Sequence, residues 1–365
     1  MKRTQWATVA LCSMLIAALA CFGLAGCSSS NGSASGSGST SASASTSQAR
    51  PDKITVTDMA DRTVEIKGDV KTVATFGSVG VINAFVECMG KGSLICNEMP
   101  ANFTKSDQWA MQYKFAPQIK DAPLLETADG VDIEKTLTLN PDLCITMTKE
   151  TADQLAEKGL PCIVIQWNDT EDVKEAVTLM GQVLNAEDRA AEYNAYFDAM
   201  VAKATGITSK LADDKKVPVL YGDVTTLKNP HIISEWWINV AGGKSVTAAD
   251  HKKNSMEFSK EDLLAWAPEV IFASTSKVAE IYADDTLANI PAVANKKIYV
   301  VPTVAHVWGN RTVEQPLTVM WAMNKLYPDL YSEADLSKDI KEFYNKFFEY
   351  NMSDDEVKSI IHYKE

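Results

Sequence analysis

A long helical stretch in the middle of the chain constrains its fold more than any other feature. Over residues 171–211 the apolar residues keep a helical spacing, no strand signal occurs, and only Asn185-Ala186 interrupts the pattern. The second part, residues 187–204, is long and amphipathic. On either side of this stretch, strand-like runs alternate with helical segments, and such alternation requires parallel sheets covered on both faces. The sequence therefore predicts an α/β protein of two lobes, each with a central mostly parallel sheet flanked by helices, joined by one long rigid helix.

The predicted strands are short, rich in β-branched residues and bounded by turn residues. The first lobe begins with a hairpin of residues 54–57 and 63–66, and its further strands are predicted at 72–76, 93–95, 142–146 and 161–166. In the second lobe the strands are predicted at 217–221, 269–273 and 298–301. Residues 336–361 are predicted to form two helices divided near Asn351, with Tyr344, Phe347, Phe348 and Tyr350 packing them onto the second lobe.

The first 26 residues have the order of an export signal. Lys2 and Arg3 begin an apolar or small run that ends at Leu24-Ala25-Gly26-Cys27. That tetrapeptide resembles the lipobox of bacterial lipoproteins, in which the cysteine is diacylated and becomes the first residue of the mature chain. Residues 1–26 are therefore expected to be a lipoprotein signal peptide, with Cys27 lipidated on the outer face of the cytoplasmic membrane. The alternative is an uncleaved transmembrane anchor, because the apolar run approaches spanning length.

The segment after Cys27 has the composition of a linker. Residues 28–50 are almost entirely Ser, Gly, Ala, Thr and Asn, which cannot build a hydrophobic core. Together with the lipidated cysteine they are expected to form a flexible tether over residues 27–52. The folded part is then expected to divide into an N-terminal lobe at 53–182, an interlobe helix at 183–214 and a C-terminal lobe with C-terminal helices at 215–365.

Charge and cysteine usage narrow the class of protein. The formal net charge is −13 at pH 7, and the basic residues are scattered, which argues against a nucleic-acid partner. Beyond Cys27, Cys144 and Cys162 lie in apolar strand-like runs that are typical of buried thiols. Cys88 and Cys96 are close enough in the chain to pair, and the sequence leaves a disulfide between them open.

Several segments, taken in order, resemble a known family. In the first lobe they are residues 70–76 with Gly77-Ser78 as a first strand, Asp132-Ile133-Glu134 with Asn140-Pro141-Asp142-Leu143 as a helix and strand, and Gly159-Leu160-Pro161. In the second lobe they are Ala241-Gly242-Gly243-Lys244 as a double-glycine turn, and residues 258–264 with Pro268-Glu269-Val270-Ile271. Over residues 53–355 the chain resembles the substrate-binding proteins of ABC importers for ferric siderophores, haem and cobalamin, the subgroup with a single helical interlobe linker. Ser245 is a departure, because the family usually has Asn there.

This resemblance implies a binding protein and not an enzyme. The expected function is a membrane-anchored, monomeric extracytoplasmic carrier that captures an iron-siderophore, haem, cobalamin or related metal chelate and delivers it to an ABC permease and its ATPase. No resident cofactor is expected. The family docks each lobe onto the permease through acidic residues, and the candidates here are Glu87, Glu126, Glu257 and Glu261.

In proteins with open parallel sheets, ligands bind beyond the carboxyl ends of the strands. The loops at these positions are rich in aromatic residues and histidine, and the predicted ligand-binding residues are Ser78, Trp109, Tyr113, Trp167, Tyr221, His231, Trp236, His306, Trp308 and Arg311. Aromatic rings suit a planar or macrocyclic ligand, and the guanidinium of Arg311 can bind a carboxylate or catecholate with two hydrogen bonds. The alternative for any single ring is burial in the core, which is the expectation for Trp321.

The histidines do not form a recognisable metal motif. His231 and His306 are each possible axial ligands to the metal of a haem or cobalamin, or hydrogen-bonding loop residues. The four histidines are far apart in the sequence, with no His-x-x-His or Glu-x-x-His spacing. No dedicated metal site is therefore expected.

Other functions stay open at this level. A surface scavenger of haem or metal, or a chemosensory binding protein, needs the same cleft. An anchored hydrolase is least favoured: Ser274-Thr275-Ser276-Lys277 matches the S-x-x-K signature of penicillin-binding enzymes, but its K-T-G and S-D-N partners are missing. For a carrier, one continuous interlobe helix is expected to resist hinge motion, so that the lobes close only slightly around ligand.

Overall fold

A computed structural model describes residues 50–128 and 130–364. Cys27, the expected signal peptide and nearly all of the expected tether lie outside the described residues. In the first part of the chain the strands are β1 (Lys53–Thr57), β2 (Thr63–Lys67), β3 (Val73–Thr75), β4 (Glu126–Thr127), β5 (Gly130–Val131), β6 (Leu143–Thr146) and β7 (Cys162–Val164). The helices there are α1 (Val79–Cys88), α2 (Ala101–Thr104), α3 (Gln112–Phe115), α4 (Ile133–Leu139) and α5 (Lys149–Glu157), with 3₁₀ turns at Gly92–Leu94, Asp107–Trp109 and Pro117–Asp121.

The first part is organised around a parallel sheet of order β3-β6-β7, called here the N-terminal sheet. Every residue of these three strands is buried, as is expected for strands covered by helices on both faces. The predicted hairpin of β1 and β2 is confirmed, with Ile54 opposite Ile66. The strand predicted at 93–95 is wrong, because Gly92–Leu94 forms a 3₁₀ turn and only Ile95 bridges to Val73.

Two consecutive helices, α6 (Thr170–Leu184) and α7 (Glu187–Thr208), follow this sheet. The interruption predicted at Asn185 is confirmed: this residue ends α6 in the left-handed conformation, with a φ of 54°. The two helices pack closely where Gly181 faces Ala190, since a Cβ on Gly181 would lie only 2.6 Å from the Cβ of Ala190. Helix α7 is the long helix that the sequence predicts between the two sheets.

The second part of the chain repeats the alternation of strands and helices. Its strands are β8 (Pro218–Gly222), β9 (Lys228–Asn229), β10 (Lys244–Ser245), β11 (Met256–Glu257), β12 (Val270–Ala273) and β13 (Ile298–Val300). Its helices are α8 (Ser234–Val240), α9 (Lys260–Trp266), α10 (Val278–Ala283), α11 (Pro291–Ala294), α12 (Gln315–Leu326), α13 (Glu333–Phe348) and α14 (Asp354–Ile361). The parallel C-terminal sheet has the order β10-β8-β12-β13.

The two parts share a repeated unit of helix, left-handed residue, proline and strand. Helix α4 is capped by Asp132, ends at Asn140 with a φ of 49° and leads through Pro141 into β6. Helix α9 is capped by Ser259, ends at Ala267 with a φ of 45° and leads through Pro268 into β12. These helices therefore occupy equivalent places beside the N-terminal and C-terminal sheets.

The C-terminal helices contact both parts of the chain. The ring of Phe115, on α3, lies 5.7 Å from Tyr344, 4.8 Å from Phe348 and 5.4 Å from Tyr350. Tyr193, on α7, lies 5.5 Å from the ring of Phe347. These rings therefore do not pack on the second lobe alone: Tyr344, Phe348 and Tyr350 also reach the first part of the chain through Phe115. Tyr344 keeps a contact with the second part, because its hydroxyl donates to Glu314.

The cysteines of the described residues are not paired. Cys88, Cys96, Cys144 and Cys162 are all free thiols, so Cys88 and Cys96 are not joined in this structure.

Across residues 50–128 and 130–364, none of the helices combines the length and the apolar character needed to cross a bilayer.

Candidate functional site

Loops from the two sheets meet directly. The side-chain amide of Gln112, which is fully buried, donates to the carbonyl of Gly80 at 2.6 Å and to the carbonyl of Ala305 at 2.6 Å. Close by, Gln108 Nε2 donates to Thr303 Oγ1 at 3.1 Å. Segments that come before α6 and after α7 are thus hydrogen-bonded to each other at the carboxyl ends of the strands, where a ligand cleft was predicted.

Trp109 and His306 form a second contact across this junction. Their ring centroids are 5.2 Å apart, with an angle of 37° between the planes. Trp109 is held from behind by Phe103, whose ring lies edge-on at 5.0 Å. The predicted site residues Trp109 and His306 are therefore neighbours, although almost 200 residues separate them in the sequence.

Arg311 also spans the junction. Its Nη1 donates to the carbonyl of Asn168 at 2.8 Å, and its Nη2 donates to Asn254 Oδ1 at 2.7 Å. Burial lowers the pKa of this guanidinium from its usual value, while the carboxylates of Asp172 and Asp169 act in the opposite direction. The Nε atom of Arg311 is buried and has no hydrogen-bond partner among the described residues.

His231 lies close enough to this guanidinium to be affected by its charge. The pKa of His231 is lowered to about 3, mainly by burial and then by the positive charges of Arg311, His306 and His251. Burial alone lowers the pKa of His306 to about 3. Both imidazoles are therefore neutral at physiological pH in this structure. The Nδ1 atom of each is buried without a partner among the described residues.

Unsatisfied buried nitrogens are rare in folded proteins, and several of them in one place indicate a missing hydrogen-bond acceptor. Here Nδ1 of His231, Nδ1 of His306 and Nε of Arg311 are such atoms. Each can donate a proton in a hydrogen bond, and Arg311 adds a fixed positive charge. The arrangement is suited to an anionic ligand or to the anionic oxygen atoms of a larger one.

Several of the aromatic residues predicted to bind ligand lie in the core. Trp308 is fully buried and its Nε1 donates to Glu314 at 3.0 Å. Tyr221 is fully buried and packs edge-on against Trp237 at 5.3 Å. Trp167 is 6% exposed and stacks on Phe85 at 4.7 Å. These rings support the walls of the junction and do not form its surface.

The remaining predicted residues are placed differently from one another. Ser78 is exposed directly after β3, at the start of α1. Tyr113 is half-buried on α3. The ring of Trp236 stacks on Phe197 of α7 at 5.9 Å, away from the histidines of the junction. Ser78 thus remains a candidate for ligand contact, whereas Trp236 fastens α8 to the long helix.

The predicted permease-docking residues also differ in exposure. Glu87 is only 2% exposed, which is at odds with docking to a partner. Glu126 is half-buried and accepts a hydrogen bond from Gly77 N at 2.6 Å. Glu257 and Glu261 are exposed. Glu134, which was not among the predicted residues, is exposed on α4 at the position equivalent to Glu261 on α9.

Within residues 50–128 and 130–364, His, Cys, Asp and Glu do not come together in groups of three or more that could hold a metal ion. Nδ1 of His251 is bonded to Glu235 Oε1 at 2.8 Å, so this third histidine is oriented by a carboxylate.

With this geometry known, the family can be assigned. A family model described as periplasmic binding protein matches residues 100–305, which is more than half of the chain. The chain belongs to this family. Members of the family are solute-binding proteins that work outside the cytoplasm, and the fold of two parallel sheets separated by a long helix agrees with that assignment.

Curated relatives of this binding protein come from different bacteria. It is 23% identical to the molybdate-binding protein MolA of Haemophilus influenzae over 338 residues, which cover 81% of this chain and 88% of the relative. It is 30% identical to the iron(3+)-hydroxamate-binding protein YxeB of Bacillus subtilis over 114 residues, which cover 30% of this chain and 35% of the relative. These relatives are carriers of solutes and not enzymes.

Solved structures show the same fold. A periplasmic solute-binding protein from Veillonella parvula DSM 2008 superposes with a TM-score of 0.73 at 25% identity, covering 84% of this chain and 96% of that one. The Haemophilus influenzae MolA structure, described as bound to molybdate, superposes with a TM-score of 0.71 at 22% identity and covers 82% and 99%. The two-lobed architecture predicted from the sequence is thereby confirmed.

Proposed function

We propose that this protein captures an anionic solute in the cleft between its two parallel sheets and delivers it to the permease of an ABC importer. The observation that supports this proposal is the group of buried, unpartnered nitrogens on His231, His306 and Arg311. An anion that accepts hydrogen bonds from these atoms would remove their desolvation penalty, which amounts to about 1–3 kcal/mol for each unsatisfied group. Delivery to an ABC permease is proposed because proteins of similar fold are described as components of ABC transporters.

The proposed ligand is compact and rich in oxygen. A haem or cobalamin needs wide apolar walls, and the rings that could supply them, on Trp167, Tyr221 and Trp308, are in the core. A tetrahedral oxyanion such as molybdate fits a small cluster of donors better, and the relative MolA is named for molybdate. A ferric hydroxamate is the second candidate, because the matched segment of YxeB is 30% identical and hydroxamate oxygens are also acceptors.

The proposed docking surfaces lie on α4 and α9. Glu134 and Glu261 are exposed in the first turns of these equivalent helices. One turn later, Leu137 and Leu264 are 41% and 46% exposed, which is unusual for leucine. Helices that precede parallel strands run antiparallel to them, so the first turns of α4 and α9 point toward the side of the sheets on which the ligand binds. A permease could contact both surfaces at once.

Membrane anchoring completes the proposal. A lipid on Cys27 and the tether over residues 27–52 would keep the carrier close to the permease, so that delivery depends on local concentration. The lobe boundaries proposed here are those predicted from the sequence, with the N-terminal lobe at 53–182, the interlobe helix at 183–214 and the C-terminal lobe at 215–365. The protein would act as a monomer.

The function is tested by ligand screening with a matched pair of variants. Purified protein is scanned for thermal stabilisation by molybdate, a ferric hydroxamate, haem and cobalamin, because a ligand present at 100 times its Kd stabilises by about 2.7 kcal/mol. Binding of each hit is then measured by calorimetry in the wild type, in Arg311→Gln and in Arg189→Gln. The control residue Arg189, on α7, pairs with Glu349 at the end of α13.

The expected result is binding of molybdate or the ferric hydroxamate, with affinity lost in Arg311→Gln and kept in Arg189→Gln. Tight binding of haem or cobalamin alone, or equal affinity in Arg311→Gln and the wild type, would contradict the proposed anion site.

A further inference from the structure

Residues 302–314, called here the His306 loop, carry His306 and Arg311 but have little regular structure. Within the loop the backbone hydrogen bonds are few: Val304 N donates to the carbonyl of His306, Trp308 N to that of Pro302 and Asn310 N to that of Val307. Buried backbone N–H groups require partners. The amides of Ala305 and His306 find theirs on a side chain, which is that of Glu314.

Glu314 is fully buried, and its carboxylate accepts hydrogen bonds from the loop backbone, from the indole of Trp308 and from Tyr344. Its Oε1 accepts from Ala305 N at 3.0 Å, from Trp308 Nε1 at 3.0 Å and from the hydroxyl of Tyr344. Its Oε2 accepts from His306 N at 2.7 Å. Hydrogen bonds to an ionised acceptor are about twice as strong as neutral ones. One carboxylate therefore fixes the backbone on both sides of His306 and also the indole of Trp308.

Helix α12, which begins directly after Glu314, holds the rest of the loop. Thr318 Oγ1 donates to the carbonyl of Trp308 at 2.8 Å, and Gln315 Nε2 donates to the carbonyl of Asn310 at 2.9 Å. Gly309 lies against Tyr221, whose hydroxyl would be 2.3 Å from a Cβ at that position, so only glycine fits there. The loop is thus bound at several points, and Glu314 binds the part nearest to His306.

A second buried carboxyl, that of Glu87, lies near Glu314. Glu87, on α1, is 2% exposed, and neither of its side-chain oxygens has a partner among the described residues. Burial, and next the nearby charge of Glu314, raise the pKa of Glu87 well above its usual value. Burial also raises the pKa of Glu314, but the hydrogen bonds from Tyr344, His306, Ala305 and Trp308 act in the opposite direction. Glu87 has no such donors, so of the two carboxyls it is the one that holds a proton more readily.

We infer that Glu314 is a positioning residue for ligand binding: its carboxylate holds the His306 loop in the conformation in which His306 and Arg311 meet the ligand. This inference rests on the proposed function for the ligand contacts, but the hold on the loop itself does not depend on that function. Tyr344, on α13, donates one of the hydrogen bonds to Glu314. A C-terminal helix therefore helps to position the His306 loop.

The test compares three substitutions in the full extracytoplasmic chain. Glu314→Gln replaces an acceptor oxygen with a donor and cannot accept all four hydrogen bonds. Tyr344→Phe removes one donor only. Asp339→Asn is the matched control, because Asp339 is also buried and lies on α13 like Tyr344. Its carboxylate accepts hydrogen bonds from Lys203 and from the hydroxyl of Tyr331, and not from the His306 loop. Calorimetry with molybdate and with a ferric hydroxamate gives Kd, and hydrogen exchange reports on the amides of Ala305 and His306.

Glu314→Gln is expected to weaken binding about tenfold or more and to speed exchange of both amides, with a smaller change of the same kind in Tyr344→Phe. Asp339→Asn is expected to lower Tm while leaving Kd and the exchange of these amides unchanged, which separates positioning from general stability. A folded Glu314→Gln with wild-type Kd and wild-type exchange overturns the inference.

Two further outcomes are decided by the same data. If Glu314→Gln does not fold, wild-type Kd and exchange in Tyr344→Phe overturn the inference, and intermediate values support it. If neither probe binds to the wild type, the proposed ligand class is wrong, and exchange alone then decides: faster exchange in Tyr344→Phe supports the hold of Glu314 on the loop, whereas unchanged exchange overturns it.

Discussion

The ring of Trp109 lies 5.2 Å from the ring of His306. Trp109 precedes the long helix α7 in the sequence and His306 follows it, so this contact joins the two parts of the chain. Gln112, one turn further along, is hydrogen-bonded to Gly80 and to Ala305 at the same junction. The two sheets are thus joined at their facing ends by specific side chains as well as by α7. If ligand enters between the sheets, as proposed, Trp109 and His306 have to separate.

Ligand affinity is predicted to rise as the pH falls. In this structure the pKa values of His231 and His306 are about 3, and a bound anion would raise both. Binding then takes up protons, and affinity increases up to about tenfold per pH unit for each proton once the pH is below the pKa of the complex. The charged groups around them are Arg311, the Glu235–His251 pair, and Asp169 and Asp172, which are engaged in capping α6.

Calorimetry between pH 5.5 and 8, in buffers of different ionisation enthalpy, measures this proton uptake directly. A Kd that stays constant over the range, with no protons taken up, would show that both histidines bind as neutral donors. His231→Gln should reduce the uptake, whereas replacement of His362, which is half-buried at the end of α14 and paired with Glu333, should leave it unchanged.

Glu87→Gln is predicted to remove a pH-dependent loss of stability. The pKa of Glu87 is raised in the folded protein, so the folded state keeps a proton that the unfolded state releases above about pH 4.3. The free energy of unfolding therefore decreases as the pH rises toward the folded pKa, by about 1.4 kcal/mol per pH unit for one proton. Glutamine has the shape of the neutral acid and does not titrate. Urea unfolding at pH 5, 6, 7 and 8 measures the free energy of unfolding. Relative to the wild type, that of Glu87→Gln should increase as the pH rises.

The control for this experiment is Glu157→Gln, because Glu157 is exposed at the end of α5. Parallel curves for Glu87→Gln and the wild type would mean that Glu87 is ionised in the folded protein.

Charge reversal of Glu134 and Glu261 is predicted to separate binding from transport. Both carboxylates are exposed and belong to helices that do not contribute to the cleft. The double variant with both residues changed to Lys should keep the wild-type Kd but lose stimulation of the permease and its ATPase, because repulsion at a docking contact costs several kcal/mol. ATP hydrolysis in vesicles containing the cognate transporter measures the effect, with Glu157→Lys as the control. Full stimulation by the double variant would place the docking surface elsewhere.

Trp308→Ala is predicted to act mainly on stability. Trp308 is fully buried, and truncation of such a ring costs about 3–5 kcal/mol. Trp236→Ala should cost less, because Trp236 is half-buried and packs mainly on Phe197. Chemical denaturation of both variants measures the difference. A loss of less than about 1 kcal/mol for Trp308→Ala would be inconsistent with the packing of this ring.

The periodicity of the chain was sufficient to predict most of its fold. Strands β3, β6, β8 and β12 and the division at Asn185 follow from local spacing and turn residues, which act over a few positions. The strand predicted at 93–95 fails because Gly92 and Ser93 favour a tight turn over an extended strand. Apolar character alone cannot distinguish these outcomes in so short a run.

The site was harder to predict because its residues are joined over long distances in the chain. Arg311 and His306 could be selected as loop residues with suitable chemistry, and their role in binding stays a prediction. Trp308 and a surface tryptophan that binds ligand look alike in sequence, since both follow a strand. Gln112 and Glu314 show no local pattern, because their partners are set by the fold: Ala305 for Gln112, and Tyr344 for Glu314.

The packing of Phe115 against Tyr344, Phe348 and Tyr350 has a consequence for the order of folding. Phe115 depends on rings that follow it by more than 200 residues in the chain, so its apolar face stays uncovered until those residues have been synthesised. A contact over so long a stretch forms slowly, because the chain must first close a large loop. The native core is therefore complete only once α13 is in place.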